Sequence, residues 1–408
     1  MSLQIQTIQM IPIIPILTRY LYEKQDVENA LLVSLLDGEK EAALFWAYEL
    51  YYSGFQKYMV VLLWNIYYDF YAVAHPFLEK YLKENLSLLP ANPEIVGIVI
   101  RNFSHHRPTL DVFILRKIME LPTFTLTETT QNQNSHLNLL SIAYYIWEYK
   151  EPTMNKLYQY CEDTMGIKMC QIRDQMDKLP QFDLVSYKKV FLAIIMVYFM
   201  NNIQERNKKG NEKGNEKEKR KKKLVLTKFN ELDKYKTITL VSVSESKLEE
   251  ERETSPQREL LKIARKYGIN DNPNISLFRK QIEEKMVDKA SIQANWLYWA
   301  SFSRVWNYRI RQYGGKTNNI KQLVLFEDEE NEDVFYYFYG YEPEEQLREI
   351  QEKAILKLKK NEAEAWYNYI LREEKRLLIL SLLPLTENSS KFEFMKYIKK
   401  LGNHQIYL

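Results

Sequence analysis

Residues 39–54 read Glu39-Lys-Glu-Ala-Ala-Leu-Phe-Trp-Ala-Tyr-Glu-Leu-Tyr-Tyr-Ser-Gly54, and the reading of this stretch decides the fold. Its apolar positions fall on both sides of a helix: Ala43, Trp46, Ala47 and Leu50 on one, Leu44, Tyr48 and Tyr51 on the other. A helix that is apolar over nearly its whole circumference has to be covered by several neighbours. The spacing therefore predicts a helix from Glu39 to Ser53 at the centre of a helical domain. Asp37 stands where an N-cap is needed, and Glu39 and Glu41 suit the positive end of the macrodipole. Gly54 is placed to end the helix in the left-handed conformation.

The flanking sequence continues in the same style. Asp26 is expected to cap a short helix through Leu36. Asn92-Pro93 pairs a cap with proline at the first helical position and starts a helix from Glu94 to Phe103. Leu110, Phe113, Ile114, Lys117 and Ile118 follow helical spacing, Ser135 is placed to cap Leu137–Tyr149, and Leu184–Asn202 closes the region. Short connectors between such helices imply antiparallel neighbours in a bundle or array. Two apolar runs, Tyr58–His75 and Val190–Met200, read as buried core helices. The second is too short for the roughly 20 residues of a bilayer span, and Asn65 and Asp69 interrupt the first. Met10–Leu17 is apolar, but Pro12 and Pro15 break it and no basic flank precedes it, so it is a poor signal peptide. No membrane association is expected.

Charge is unevenly placed. The chain carries +3 overall, whereas Arg206–Lys223 holds ten basic and three acidic residues and so +7, leaving −4 for the remainder. Residues 204–223 (QERNKKGNEKGNEKEKRKKK) contain no apolar side chain to bury and read as a disordered, low-complexity insert. A second helical region is expected from Ser255-Pro256, with helical pairs through Arg311 and long amphipathic helices at Glu344–Lys360 and Glu362–Leu383. Ile320–Phe326 and Val334–Tyr339 are β-branched or aromatic runs on either side of the acidic Glu327–Asp333, and they read as the arms of a hairpin with a solvated tip. The expected fold is mainly α: two helical bundle or array regions joined by a disordered basic insert, with a small β-hairpin in the C-terminal half. Its divisions are 1–203, an N-terminal helical domain; 204–254, the insert and a charged linker; and 255–408, a C-terminal helical domain with the hairpin near 320–339.

Chemistry-bearing motifs are few. Lys217, Lys219, Arg220, Lys221, Lys222 and Lys223 form a cationic strap able to neutralise phosphates, which makes nucleic acid a candidate partner; a solvated linker is the competing reading. Leu260–Met286 reads as a helical hairpin decorated by Lys262, Arg265, Lys266, Arg279 and Lys280, similar in general form to the SAP and Rho-N-terminal modules. His105-His106 is better placed for a turn before Arg107-Pro108 than for a metal, because adjacent histidines project differently. Cys161 and Cys170 are too few for a disulfide framework and read as reduced thiols of an intracellular protein. The acidic cluster lacks the ligand spacing and central glycine of a calcium loop. Walker A, G-x-G-x-x-G, H-E-x-x-H, G-x-S-x-G and kinase motifs are all absent. No catalytic residue, cofactor or metal is therefore implied.

Several segments together resemble an uncharacterised helical protein family of nucleocytoplasmic large DNA viruses, the giant viruses. They are Arg19-Tyr-Leu-Tyr22, Glu41–Phe55, Val112-Phe-Ile-Leu-Arg116, Trp296–Gly315 and Phe338-Tyr-Gly-Tyr-Glu-Pro-Glu-Glu-Gln346. The resemblance implies a viral protein made in the cytoplasm or nucleus of an infected cell, with the virion as a further destination, and it carries over no catalytic residue. The expectation is a non-enzymatic viral scaffold or protein-interaction protein. A nucleic-acid-binding accessory factor acting through the insert is the alternative, and an unrecognised enzyme the third class.

The nucleic-acid alternative has a direct test. Replacing Lys219, Arg220, Lys221, Lys222 and Lys223 by Gln removes up to five phosphate contacts. The slope of log K against log salt on duplex DNA should flatten by as much as about 4. Anisotropy titrations at several salt concentrations read this slope, and an unchanged slope removes the strap from any DNA contact.

Overall fold

The structure, a computed structural model, describes residues 16–119, 135–148, 155–165, 169–177, 179, 184–210, 274–278, 294–339 and 366–373. It is mainly α. Helices α1 (Lys24–Leu36), α2 (Lys40–Tyr52), α3 (Gln56–Phe70) and α4 (Leu78–Asn85) are followed by a 3-10 turn at Leu86–Leu88 and by α5 (Pro93–His105) and α6 (Asp111–Met119). Then come α7 (Ser135–Glu148), α8 (Asn155–Met165), α9 (Met169–Asp177) and α10 (Leu184–Gly210). The C-terminal half supplies α11 (Ile275–Phe278), α12 (Trp296–Ala300), α13 (Arg304–Gln312), strands β1 (Lys316–Asn318) and β2 (Leu323–Leu325), α14 (Glu329–Tyr339) and α15 (Trp366–Glu373).

Helix α2 lies at the centre, as its all-round apolar pattern requires: every residue from Ala43 to Tyr51 is buried. It packs against α1, α3 and α5, while α3 packs on α6 and α10, and α7 on α6, α8 and α10. Gly54 takes φ +88, the predicted left-handed stop. Asn92 caps α5 by accepting from the Glu94 amide at 3.0 Å, with Pro93 at the first position. Both long apolar runs are core: Met59, Leu63, Trp64, Tyr67 and Tyr68 of α3 and Val190–Met196 of α10 are buried. Among the described residues no helix is long and apolar enough to cross a membrane.

Four expectations need correction. Asp26 does not cap α1; it lies buried within the first turn, and the helix starts at Lys24. Asp37 is the C-cap of α1, and the N-cap of α2 is Glu39, whose side chain makes no capping bond. The connector between the two helices is too short to serve both ends. Helix α10 runs through Gly210, seven residues into the segment expected to be disordered from Gln204. Gln204, Glu205, Arg206, Lys208 and Lys209 are good helix formers, and extending a helix already nucleated on a buried run costs little.

The hairpin is real, and β2 falls within the first expected arm, but its other arm precedes that strand instead of following it. β1 pairs antiparallel with β2, Thr317 opposite Val324, and the second expected arm is instead helix α14. The reason lies in Asp328, whose carboxylate accepts from the Asn331 backbone amide at 2.7 Å and its side-chain amide at 2.8 Å. This is an N-terminal capping arrangement, and Glu329 and Glu330 then fall where the helix dipole favours acids. Phe335 and Tyr339, one turn apart, pack inward on the Tyr313 ring.

Both halves share one core. Phe278 of α11 meets Phe113 of α6 with ring centroids 6.0 Å apart and Tyr369 of α15 at 6.3 Å. Trp306 of α13 is fully buried and donates its indole N–H to the Arg19 carbonyl at 3.0 Å. The chain then reverses at Gly314-Gly315 into the hairpin. A Cβ on Gly315 would stand 2.6 Å from Ile310 Cγ2 and 2.9 Å from the Ile310 carbonyl oxygen. Gly315→Ala is therefore expected to lower the unfolding free energy by about 1–3 kcal/mol, the range for overpacking. Chemical denaturation of the purified variant measures it, and wild-type stability would show that the turn has room to relax.

Candidate functional site

The cationic strap singled out from the sequence, Lys217, Lys219, Arg220, Lys221, Lys222 and Lys223, lies outside the described residues. So does the 260–286 helical hairpin apart from 274–278, and so do the helices expected at Glu344–Lys360 and over most of Glu362–Leu383.

Two ion pairs are built into the interior. Arg116 of α6 places Nη2 2.9 Å from Asp69 Oδ2 of α3, and both side chains are buried. Arg19 places Nε 2.9 Å from Glu49 Oε2 of α2, where Glu49 also accepts from the Tyr20 amide at 3.0 Å. A charge removed from water is tolerable only when paired and hydrogen-bonded. Both pairs were invisible to sequence reading, since their partners stand tens of residues apart without a spacing rule.

Sequence reading also placed His105-His106 in a turn. The structure ends α5 at His105 and brings a third imidazole to the pair: the His75 ring centroid is 4.7 Å from that of His106. His106 Nδ1 donates to the Asn102 carbonyl at 2.7 Å, and His75 Nε2 to that of Arg107 at 2.8 Å. Among the described residues no three His, Cys, Asp or Glu side chains converge as metal ligands. Burial lowers the His106 pKa, opposed by the Asn102 bond and reinforced by nearby His105. Of the cysteines, Cys161 is buried and its thiol is pushed up to about 12, chiefly by burial, while Cys170 is exposed. Neither is paired in a disulfide.

A cleft of about 420 Å³ opens between the end of α13 and the hairpin, lined by Asn307, Ile310, Arg311, Gly314, Lys316 and Glu327 among others. Lys316 and Glu327 in its wall are paired with each other at 2.8 Å.

The surface of this same unit stands out among the described residues. Eleven large hydrophobic side chains are exposed among the described residues, and seven of them lie between Tyr308 and Phe338. Ile320 at the hairpin tip is 96% exposed; Leu323 and Leu325 project from one face of β2, two residues apart. Val334, Tyr337 and Phe338 form an exposed i, i+3, i+4 stripe on α14, with Phe338 at its edge, where its ring also stacks on Tyr313 at 6.5 Å. The inner side is held by Phe326, whose ring centroid is 5.1 Å from that of Phe335. Within the aromatic run 335–339, Phe335 is buried while Tyr337 and Phe338 are exposed. Comparison of the chain with protein-family models, with curated proteins and with solved structures finds no match.

The imidazole cluster generates a pH prediction. Because the folded-state pKa of His106 is lowered, the unfolded chain binds that proton more readily. The stability involved is complete above the ordinary imidazole value of 6.5 and is lost as pH falls through it toward the depressed value. Urea midpoints measured between about pH 7.5 and 5.5 should fall with pH, and His106→Gln should flatten the fall. An identical pH profile in the variant would assign the acid sensitivity to other groups.

Proposed function

We propose that the protein is a non-enzymatic scaffold or adaptor that binds other proteins through the unit formed by α13, the hairpin and α14. The observation that carries this reading is the concentration of exposed apolar side chains on that unit, at Tyr308, Ile320, Leu323, Leu325, Val334, Tyr337 and Phe338. Scattered exposed hydrophobics are ordinary on a soluble surface, whereas their concentration on one unit marks a place where another surface is covered. Aromatic anchors such as Tyr337 are also the residue types that dominate interface energetics. The interior ionic groups support the same reading, because Asp69, Arg116, Arg19 and Glu49 are spent on one another in the core. The viral context, an infected cell with the virion as a further destination, enters the proposal through the resemblance noted above.

The test is cross-linking mass spectrometry in cells producing the protein. Cross-links to other proteins should concentrate on residues 304–339 and be lost from a Leu323→Ser, Tyr337→Ser, Phe338→Ser variant. Since these side chains are exposed, that variant should keep its stability to within roughly 0.5 kcal/mol per site. Cross-links spread evenly over the surface, or unaffected by the triple change, would sink the proposal.

A further inference from the structure

We propose that α14 docks a cationic amphipathic segment of another protein, one that interleaves Lys or Arg with apolar residues. This rests on the interaction reading above and assigns its partner class. The apolar half of the contact is the stripe Val334, Tyr337 and Phe338, with Tyr337 and Phe338 more than half exposed. The polar half is the run of carboxylates that leads into it. Glu330 stands one turn before Val334, and Asp333 one turn before Tyr337, so both border the stripe.

The carboxylates exceed what the helix itself needs. Asp328 already caps α14, and acids in the first turn satisfy the positive end of the dipole. Glu329 and Asp333 are nevertheless a like-charged i, i+4 pair and Glu329 and Glu332 an i, i+3 pair, arrangements that destabilise an isolated helix. Among the described residues the only cation paired with the cluster is Lys316, which meets Glu327 at 2.8 Å. Glu329, Glu330, Glu332 and Asp333 are all exposed and none forms an ion pair among the described residues. A partner supplying two or three cations beside an apolar face relieves that repulsion and covers the stripe at once. An acidic or neutral apolar partner covers the stripe but leaves the repulsion in place.

The full-length chain is titrated by fluorescence anisotropy with a synthetic amphipathic Lys/Leu peptide and with its Glu/Leu counterpart. Two variants are compared, Tyr337→Ser with Phe338→Ser, and Glu330→Gln with Glu332→Gln and Asp333→Asn, after melting curves confirm that each is folded. The Lys/Leu peptide should bind, weaken with salt and lose roughly tenfold in affinity with either variant. The Glu/Leu peptide should show no binding that responds to the aromatic pair. Lys/Leu binding indifferent to both variants, or no Lys/Leu binding, overturns the proposal. Glu/Leu binding lost with the aromatic pair overturns the cationic partner and leaves the adaptor reading standing. Self-association abolished by Phe338→Ser does the same, naming a second copy as the occupant.

Discussion

The carboxylate of Glu49 is the point from which the described structure is organised. It is wholly buried in the central helix and holds Arg19 through Nε and Tyr20 through the backbone amide. Ser53, one turn on, accepts from the Arg19 amide at 2.8 Å. The turn Thr18–Tyr22 is thereby fixed against α2, tightly enough for Leu21 to adopt φ +61, a left-handed conformation that branched or bulky side chains avoid. The Arg19 carbonyl accepts from the indole of Trp306, 287 residues further along the chain. One buried acid thus joins the N-terminal turn, the central helix and the C-terminal unit. Removing a single partner from such a pair strands the other charge in the core, at a cost of about 3–5 kcal/mol.

What sequence reading recovers here is what depends on local periodicity. The central helix, its glycine stop, the Asn92-Pro93 start and the two buried apolar runs all follow from spacing and composition within one element. The hairpin's second arm was misplaced for an equally local reason, because β-branched and aromatic content was weighed above the capping arrangement at Asp328. Val334–Tyr339 carries strand-like composition but helix-like spacing, and the spacing won. Contacts over long separations were illegible in principle. Arg19 and Glu49, Asp69 and Arg116, or Arg19 and Trp306 have no positional rule linking them. The strap, the strongest compositional signal in the chain, falls outside the described residues, so its reading still rests on composition.

The chain carries 30 tyrosines, and several of them have a structural account. Tyr48 donates to the Pro93 carbonyl at 2.9 Å, Tyr51 to Pro90 at 3.3 Å, and Tyr68 to the Glu79 carboxylate at 3.1 Å. Each ring fills core volume as Phe would, and each hydroxyl ties a helix to a neighbouring turn or helix. The strategy has a limit at Tyr71, whose ring stacks on Phe103 at 4.6 Å while its hydroxyl is buried without a hydrogen bond. An unpaired buried hydroxyl costs of order 1–3 kcal/mol, so tyrosine in the core helps only where an acceptor is within reach.

The outer helix is connected to the central one through a continuous set of contacts. Trp306 hangs from Arg19, and the Arg309 guanidinium carbon lies 5.0 Å from the Trp306 ring and 4.5 Å from that of Tyr339. Burial lowers the Arg309 pKa, and the repulsion of nearby Arg19 adds to it, against the favourable influence of Tyr339. One guanidinium nitrogen, Nη1, is buried without a hydrogen bond. Cation–π attraction, worth about 2 kcal/mol or more when desolvated, offsets part of that cost. Tyr339 packs inward one turn from Phe335, which turns Val334 and Tyr337 outward, with Phe338 between the two sides. A stripe presented on a pre-formed helix spares a partner the entropy of ordering it, which a flexible tail with the same residues does not. The polar interior and the apolar exterior are therefore linked. Ionic and aromatic contacts buried between α2 and α13 are what keep Tyr337 and Phe338 in place on the surface.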